Sequence, residues 1–548
     1  MENDNVECKK CKQNFIITHD DELFYEKIQV PPPTLCFQCR AIRRMVWWNE
    51  HNLYRKDGLF STFPQESSAK IMDRDAWWGD GWDQMQYGRD YDSGRSFFDQ
   101  FGELMREVPW PSRDVQRLVN SDYSNQASDL KNCYLVFNSG VSENCLYGVG
   151  SLGMRDSMDF YFCGSCELCY EISNAENCYG TFFSGEISNC RNVWFSRDCH
   201  DCSDCFGCAN LRSKKYHIFN EPHTKEDYFA KIKEMNLGSY KSFRQVLEKA
   251  NAFLRDQPYR YANAIQNTRS SGEYLFNSKN SRYCYQVIAG ENLAYCQNMS
   301  RGIKDSYDYT SWGNNAELIY ESISVGENVR NLKFCFNCWP GSTDLEYCAN
   351  VMSSQNCFGC VGLKKRQYCI LNKQYSKEEY EKLKTNLISH MREKGEYGEF
   401  FPIELSPLAY NESVVVDYFP KTKEQAEKDG YFWREPKENN FKFTIPNLQL
   451  PDHINDVPDT IIKEIIECQF CKRAYRILER ELEFYRRFAI PLPRMCHRCR
   501  FTARRSQLNP LQWWERNCAK CNTKIESTYA PDRPEIIYCE QCYQQEVS

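Results

Sequence analysis

The sequence predicts a mainly β protein with some α: a duplicated right-handed β-solenoid flanked by zinc-ribbon modules. Three observations predict it. The same cysteine grid stands at both ends of the 548-residue chain. Short runs of β-branched and aromatic residues recur at roughly 10- to 12-residue spacing, punctuated by Asn-Cys, Asp-Ser and Gly, and evenly spaced short strands with turn residues mark a stacked β architecture. The block that carries those runs occurs twice.

Length and composition set the frame. So long a chain exceeds one core, and three or more domains are expected. Aromatics make up 15% of the chain while mean hydropathy is −0.70, so the apolar content sits in Tyr, Phe, Trp and Cys and points away from large helical bundles. No run of about 18 apolar residues is present, and the polar, acidic start is no signal peptide. A cytoplasmic protein, not membrane-bound, with reduced thiols is therefore expected. The net charge of −6 argues against bulk electrostatic binding of nucleic acid.

The elements follow in chain order. Residues 1–50 form an N-terminal zinc ribbon on Cys8, Cys11, Cys36 and Cys39. Two Cys-x-x-Cys knuckles bring four thiolates within tetrahedral reach of one ion and leave no open position, the ligand set of a structural zinc site. Residues 51–120 are read as a degenerate ribbon plus a helix. Phe60-Ser-Thr-Phe-Pro64 resembles Glu526-Ser-Thr-Tyr-Ala-Pro531 but keeps no cysteine, and Phe97, Phe98, Phe101 and Leu104 share one helical face. Residues 121–222 are the first β-solenoid block. Residues 223–267 are a helical insert, with Thr224 as N-cap and first-turn acids after it.

The second block, residues 268–374, copies the first. Arg155-Asp-Ser-Met-Asp159 matches Lys304-Asp-Ser-Tyr-Asp308, Glu167-Leu-Cys-Tyr-Glu171 matches Glu317-Leu-Ile-Tyr-Glu321, and Cys205-Phe-Gly-Cys208 matches Cys357-Phe-Gly-Cys360, with an offset that drifts from 148 to 152 along the block. A helix at 375–400 and a linker at 401–460 lead to a second zinc ribbon, 461–515, on Cys468, Cys471, Cys496 and Cys499. A C-terminal ribbon, 516–548, carries Cys518, Cys521, Cys539 and Cys542. The gap between knuckle pairs has the same length in the first two ribbons, 12–35 and 472–495, and is shorter in the third, 522–538. About three zinc ions are thus expected, with iron or a redox pair as lesser alternatives.

Cys199-His-Asp-Cys202-Ser-Asp-Cys205-Phe-Gly-Cys208 is spaced like an iron–sulfur ligand run. The second block answers it with Val351 and Ser354 in place of Cys199 and Cys202, as a packed interior of small thiols allows. A stacked cysteine core is therefore preferred over a redox or iron–sulfur protein. Glu167 with Glu171 and Glu317 with Glu321 raise the alternative of an enzyme acting on carbohydrate or nucleotide along the solenoid face. Arg40, Arg43, Arg44, Trp47 and Trp48 after the first ribbon, and Arg500, Arg504, Arg505, Trp513 and Trp514 after the second, suit phosphate and base contact. The plainer reading is that these arginines pair with neighbouring carboxylates.

The knuckle with Phe24-Tyr25 and Val30-Pro-Pro-Pro-Thr-Leu-Cys36, Trp82-Asp83, Tyr87-Gly-Arg-Asp90, Lys131-Asn-Cys-Tyr134, Cys205-Phe-Gly-Cys208, Tyr368-Cys-Ile-Leu-Asn-Lys373 and Pro531-Asp-Arg-Pro-Glu535 carry a resemblance over nearly the whole chain. The chain resembles bacterial zinc-ribbon and β-repeat proteins of small-genome lineages, often labelled "CaiB/BaiF family protein". The label implies a CoA-transferase and is read as a misannotation, because that fold needs a large α/β body that Cys/Asn-rich repeats do not offer. The expected function is a non-enzymatic zinc-binding scaffold or binding protein. Its partner would be a protein or an RNA contacted through the ribbon surfaces.

Overall fold

The computed structural model describes residues 4–299, 301–435, 442–446 and 449–547, and is mainly β with some helix. Two compact units emerge: Met1–Asp114 with Ala262–Arg434, and Val115–Tyr261 with Glu435–Ser548. The N-terminal cysteine grid therefore belongs with the second repeat block, and the two C-terminal grids belong with the first. The segment expected as a linker is packed. Phe401, Tyr410, Val414 and Val415 are buried in the first unit, and Ile454 and Val457 in the second.

Both repeat blocks are parallel ladders. In the second unit, strand partners lie one rung apart: Tyr170 faces Phe182, Phe182 faces Trp194, and Val193 faces Cys205. Each 12-residue rung resolves into four triplets. Asn132, Leu135, Asn138, Val141, Asn144 and Tyr147 all take left-handed backbone, with φ between 46° and 58°. The residues that follow the first five, Cys133, Val136, Ser139, Ser142 and Cys145, are buried. The chain thus turns at one residue in three and sends the next inward.

Left-handed backbone costs about 1–2 kcal/mol for most residues and less for Asn, Asp and Gly. That accounts for the Asn and Asp at the turns. Their side chains also form amide ladders along the stack: Asn120, Asn132 and Asn144 each donate to the matching residue of the next rung, at 3.1, 3.1 and 3.0 Å, ending at Asp156.

The inward triplet position must also satisfy a buried backbone N–H. Ser151 Oγ accepts from the Cys163 N–H at 3.0 Å and donates to the Val149 carbonyl at 3.2 Å. Cys166 Sγ does the same with Cys178 and Gly164 at 3.4 and 3.1 Å. Small residues with one donor and one acceptor suit the site, hence the Ser and Cys. The Cys-x-x-Cys spacings inside the blocks follow from this triplet period. Cys199, Cys202, Cys205 and Cys208 are buried inward rungs, each donating to the carbonyl two residues earlier.

The first unit repeats the pattern with a change of pitch. Glu273 pairs with Tyr285, a step of 12, but Lys304 with Glu317, Ala316 with Val329, and Arg330 with Thr343 each step by 13, before Thr343 and Gln355 return to 12. The added residues recur once per rung, around left-handed Gly302, Asn315, Asn328 and Gly341. Four single-residue additions account for the drift in offset between the matching segments of the two blocks.

A helix follows each block, Lys225–Glu234 capped by Thr224 and Lys377–Glu393 capped by Ser376. The helix Phe97–Glu107 packs on the block of its own unit: Phe97 meets Tyr347 and Phe358 with ring centroids 5.4 Å apart. A Cβ at left-handed Gly359 would stand 2.8 Å from that ring. The helix Tyr240–Arg255 places Phe243 against Phe183 and Phe195 in the second unit.

Candidate metal centres

Three cysteine quartets converge: Cys8, Cys11, Cys36, Cys39; Cys468, Cys471, Cys496, Cys499; and Cys518, Cys521, Cys539, Cys542, each with its sulfurs within 4.8 Å of one another. One local design makes all three. The first pair sits on a tight hairpin turn closed by left-handed Lys12, Lys472 or Asn522. The second pair opens a helix. Cys36, Cys496 and Cys539 are the N-cap residues of Phe37–Met45, His497–Arg505 and Glu540–Glu546. A helix N-terminus favours thiolate there.

In every quartet a backbone N–H from the second pair reaches a sulfur of the first. Cys36 donates to Cys8 at 3.3 Å, Cys496 to Cys468 at 3.3 Å, and Cys539 to Cys518 at 3.2 Å. Across the two pairs, the sulfurs of Cys11 and Cys36, Cys471 and Cys496, and Cys521 and Cys539 are each 3.7 Å apart. A tetrahedron with metal–sulfur bonds of ~2.3 Å has sulfur–sulfur edges of about 3.8 Å. The residues present thus fit a four-coordinate ion held wholly by protein, and the donor set can hold it without a bound water.

Proton sharing among the thiols already favours thiolate at some positions. A hydrogen bond from the Cys39 thiol lowers Cys36 to about 5. Burial opposes ionisation of Cys468 and Cys518, but backbone N–H donors lower them to about 7 and about 6. Burial raises Cys496 to about 11 and Cys542 to about 12. A bound cation would displace the remaining protons.

Residues 51–82 keep the order of elements found around the third quartet, without its sulfurs. The hairpin Tyr54–Lys56 with Leu59–Ser61 corresponds to Trp514–Asn517 with Lys524–Ser527. Ile71–Met72 pairs in parallel with Trp110–Pro111, as Ile537–Tyr538 does with Tyr259–Arg260. The tight Asp57–Gly58 turn replaces the first knuckle. At the place of Cys539 stands Asp73, whose carboxylate caps the helix Arg74–Trp78 through the N–H groups of Asp75 and Ala76.

The arginines after the first two grids are not a surface strip. In the first unit, buried Arg40 pairs with buried Asp308 at 2.8 Å, and Arg44 with Glu321 at 2.9 Å; Arg43 bridges Glu321 and Glu399. In the second unit Arg500 and Arg504 grip Asp159 at 2.8 and 2.9 Å, and Arg504 also takes Glu171 at 2.5 Å. Arg505 donates to the Tyr161 hydroxyl at 2.8 Å. Trp47 and Trp48 are buried, and Trp47 lies 5.2 Å from the Phe401 ring. Trp513 and Trp514 are half-buried. Arg40, Arg43, Arg44, Arg500 and Arg504 thus pair with carboxylates, and Arg505 with a tyrosine hydroxyl.

The aromatic pair retained in both grids serves the same contact. Phe24 stacks on Tyr307 at 3.8 Å and Tyr25 meets Tyr320 at 5.6 Å. Tyr485 meets Tyr170 at 5.6 Å, and Phe484 meets Phe182 at 5.9 Å. Glu171 and Glu321, weighed as acid–base candidates, are the carboxylates that receive these arginines. Sequence reasoning had their retention in both blocks but not their partners. The available signal was a joint one: an Arg-x-x-x-Arg helix retained in both ribbons, and an Asp and a Glu one rung apart retained in both blocks.

Among the described residues no helix is long and apolar enough to cross a membrane. No family model matches the chain, and no curated protein matches it. Among solved structures, a putative acetyltransferase from Desulfovibrio desulfuricans G20 aligns over 44% of this chain and 65% of its own, at 10% identity and a TM-score of 0.10. So low a score carries no argument about fold or function.

Proposed function

We propose that this chain is a zinc-dependent scaffold in which two β-solenoid blocks, each clamped by a zinc-ribbon module, present ribbon surfaces to a protein partner. The observation that carries the reading is the repeated clamp. In each unit a four-sulfur grid opens a helix whose arginines bury themselves in an Asp and a Glu of the ladder. A grid with so little interior of its own depends on an ion for its shape, so zinc would govern the clamp. All-sulfur tetrahedral donors favour zinc over harder cations.

The ribbons keep apolar side chains outside: Ile16 and Leu23 on the first, and Phe470 on the knuckle of the second, at 76% exposure. Such anchors suit a protein partner, whereas the arginines suited to phosphate are used internally. Limited proteolysis of the full chain before and after chelation tests the clamp. Chelation is expected to open cleavage at Phe37–Met45 and His497–Arg505 together; an unchanged pattern would contradict it. Retention of total RNA on a filter that falls steeply with salt would replace the protein partner with RNA.

A further inference from the structure

On the ladder of the second unit, Glu176, Ser188, His200 and Arg212 stand in one outward column on successive rungs. Ser188 Oγ lies 2.6 Å from His200 Nδ1, and His200 Nε2 lies 2.7 Å from Asp198 Oδ1. With the ring proton on Nε2, the imidazole donates to the carboxylate and accepts from the hydroxyl. Asp198 is held from two further sides, by Arg212 at 2.8 Å and by the Tyr543 hydroxyl. Burial works against its ionisation, yet the His200 and Arg212 contacts keep its carboxyl well below the usual range. The His200 side chain remains 17% exposed and Ser188 is half-buried, so the hydroxyl end of the relay faces outward.

The sister block shows that the fold does not require this set. By ladder register, Ser188, Asp198, His200 and Arg212 correspond to Trp339, Asn350, Met352 and Lys364. The backbone bonds agree: Ser188 N–H to the Cys199 carbonyl and Trp339 N–H to the Val351 carbonyl are both 3.2 Å. Tyr543 corresponds to Trp77. There Trp77, Trp339 and Met352 form an apolar cluster. The same niche is therefore filled by apolar packing in one unit. In the other it holds a hydroxyl, an imidazole and a carboxylate in hydrogen-bonded series. The column beside this one repeats one chemistry rung after rung, Asn177 donating to Asn189 at 3.3 Å and Asn189 to Asp201 at 3.0 Å.

We propose that Ser188 is an activated nucleophile for acyl transfer from a carboxylic ester, with His200 as its base and Asp198 as the positioning residue. The ring nitrogens are exchanged relative to the commonest serine triads, but the roles need only one basic nitrogen at the hydroxyl and one N–H held by a carboxylate. Ser188 Oγ attacks the ester carbonyl carbon as its proton passes to Nδ1. The alcohol leaves with that proton. Water, giving a proton to the same nitrogen, then cleaves the acyl–serine bond and releases the acid and the hydroxyl. This adds a chemical centre to the scaffold and does not depend on the identity of its partner.

A fluorophosphonate probe on the full, metal-loaded chain tests it. Labelling that maps to Ser188 by peptide mass spectrometry is expected. Ser188→Ala is expected to abolish it, and His200→Met to slow it at least tenfold, the latter borrowing the residue the sister block tolerates at that place. Absence of label on natively folded protein, or a Ser188 rate unchanged in His200→Met, would overturn the proposal. Far-UV circular dichroism on each variant separates loss of reactivity from loss of fold.

Discussion

Arg40 and Arg500 each sit where a charge is costly unless it is paired and hydrogen-bonded. Each has both: a carboxylate at 2.8 Å and a backbone carbonyl, of Leu35 or Met495, five residues earlier. Removing one partner of a buried pair leaves the other uncompensated, typically at about 3–5 kcal/mol. Asp308→Ala or Asp159→Ala is therefore expected to lower unfolding free energy by about that amount, read by denaturant titration of the unit concerned. A loss below about 1 kcal/mol would show the pair to be solvated. Glu346 gives a second test. Burial alone would raise its carboxyl, but Lys384 at 2.8 Å and Lys333 at 3.1 Å lower it from 4.5 to about 2. A depressed carboxylate contributes stability that is complete above its unfolded value and fades as pH falls toward its folded one. The first unit should lose stability between about pH 4.5 and 2, and Glu346→Gln should flatten that part of the profile. An unaltered acid limb would count against the pairing.

At the scale of the element, the triplet rung explains what composition could only suggest. Asn, Asp and Gly were legible as turn residues, but a 10- to 12-residue reading of the spacing blurred the period. The period is 12 with a triplet inside it, and four one-residue additions near Gly302, Asn315, Asn328 and Gly341 hide it from simple alignment. The inward Ser and Cys are bonding groups as well as fillers. Ser151→Ala would strand the Cys163 N–H, at about 1–3 kcal/mol, whereas Ser151→Cys should recover most of the loss. Equal stability of the Ala variant would show that the N–H finds another partner. Cys178→Ala should leave the metal content untouched, since that thiol belongs to a ladder and not to a quartet.

At the scale of the whole molecule, the grids were readable because metal ligation demands fixed residue types at fixed spacing. Their packing was not. Cys8 to Cys39 open the chain, yet they belong with the block that follows Ala262. Chain order says nothing about that, and only the joint retention of Arg40 with Arg44 and of Asp308 with Glu321 pointed to it. Those arginines admitted a phosphate strip as well as pairing with carboxylates, because charge in sequence carries no mark of burial. The relay at Ser188 escaped notice for a related reason: residues 188 and 200 become neighbours only once the rung length is known.

Metal content of the purified, reduced chain tests the central claim most directly. Three tightly held zinc ions per chain are expected, not four, because Asp57–Gly58 and Asp73 stand where a fourth grid would need sulfur. Cys499→Ala should hold two. A native chain without bound metal, or a variant that still holds three, would contradict the assignment of these quartets as the ions' ligands.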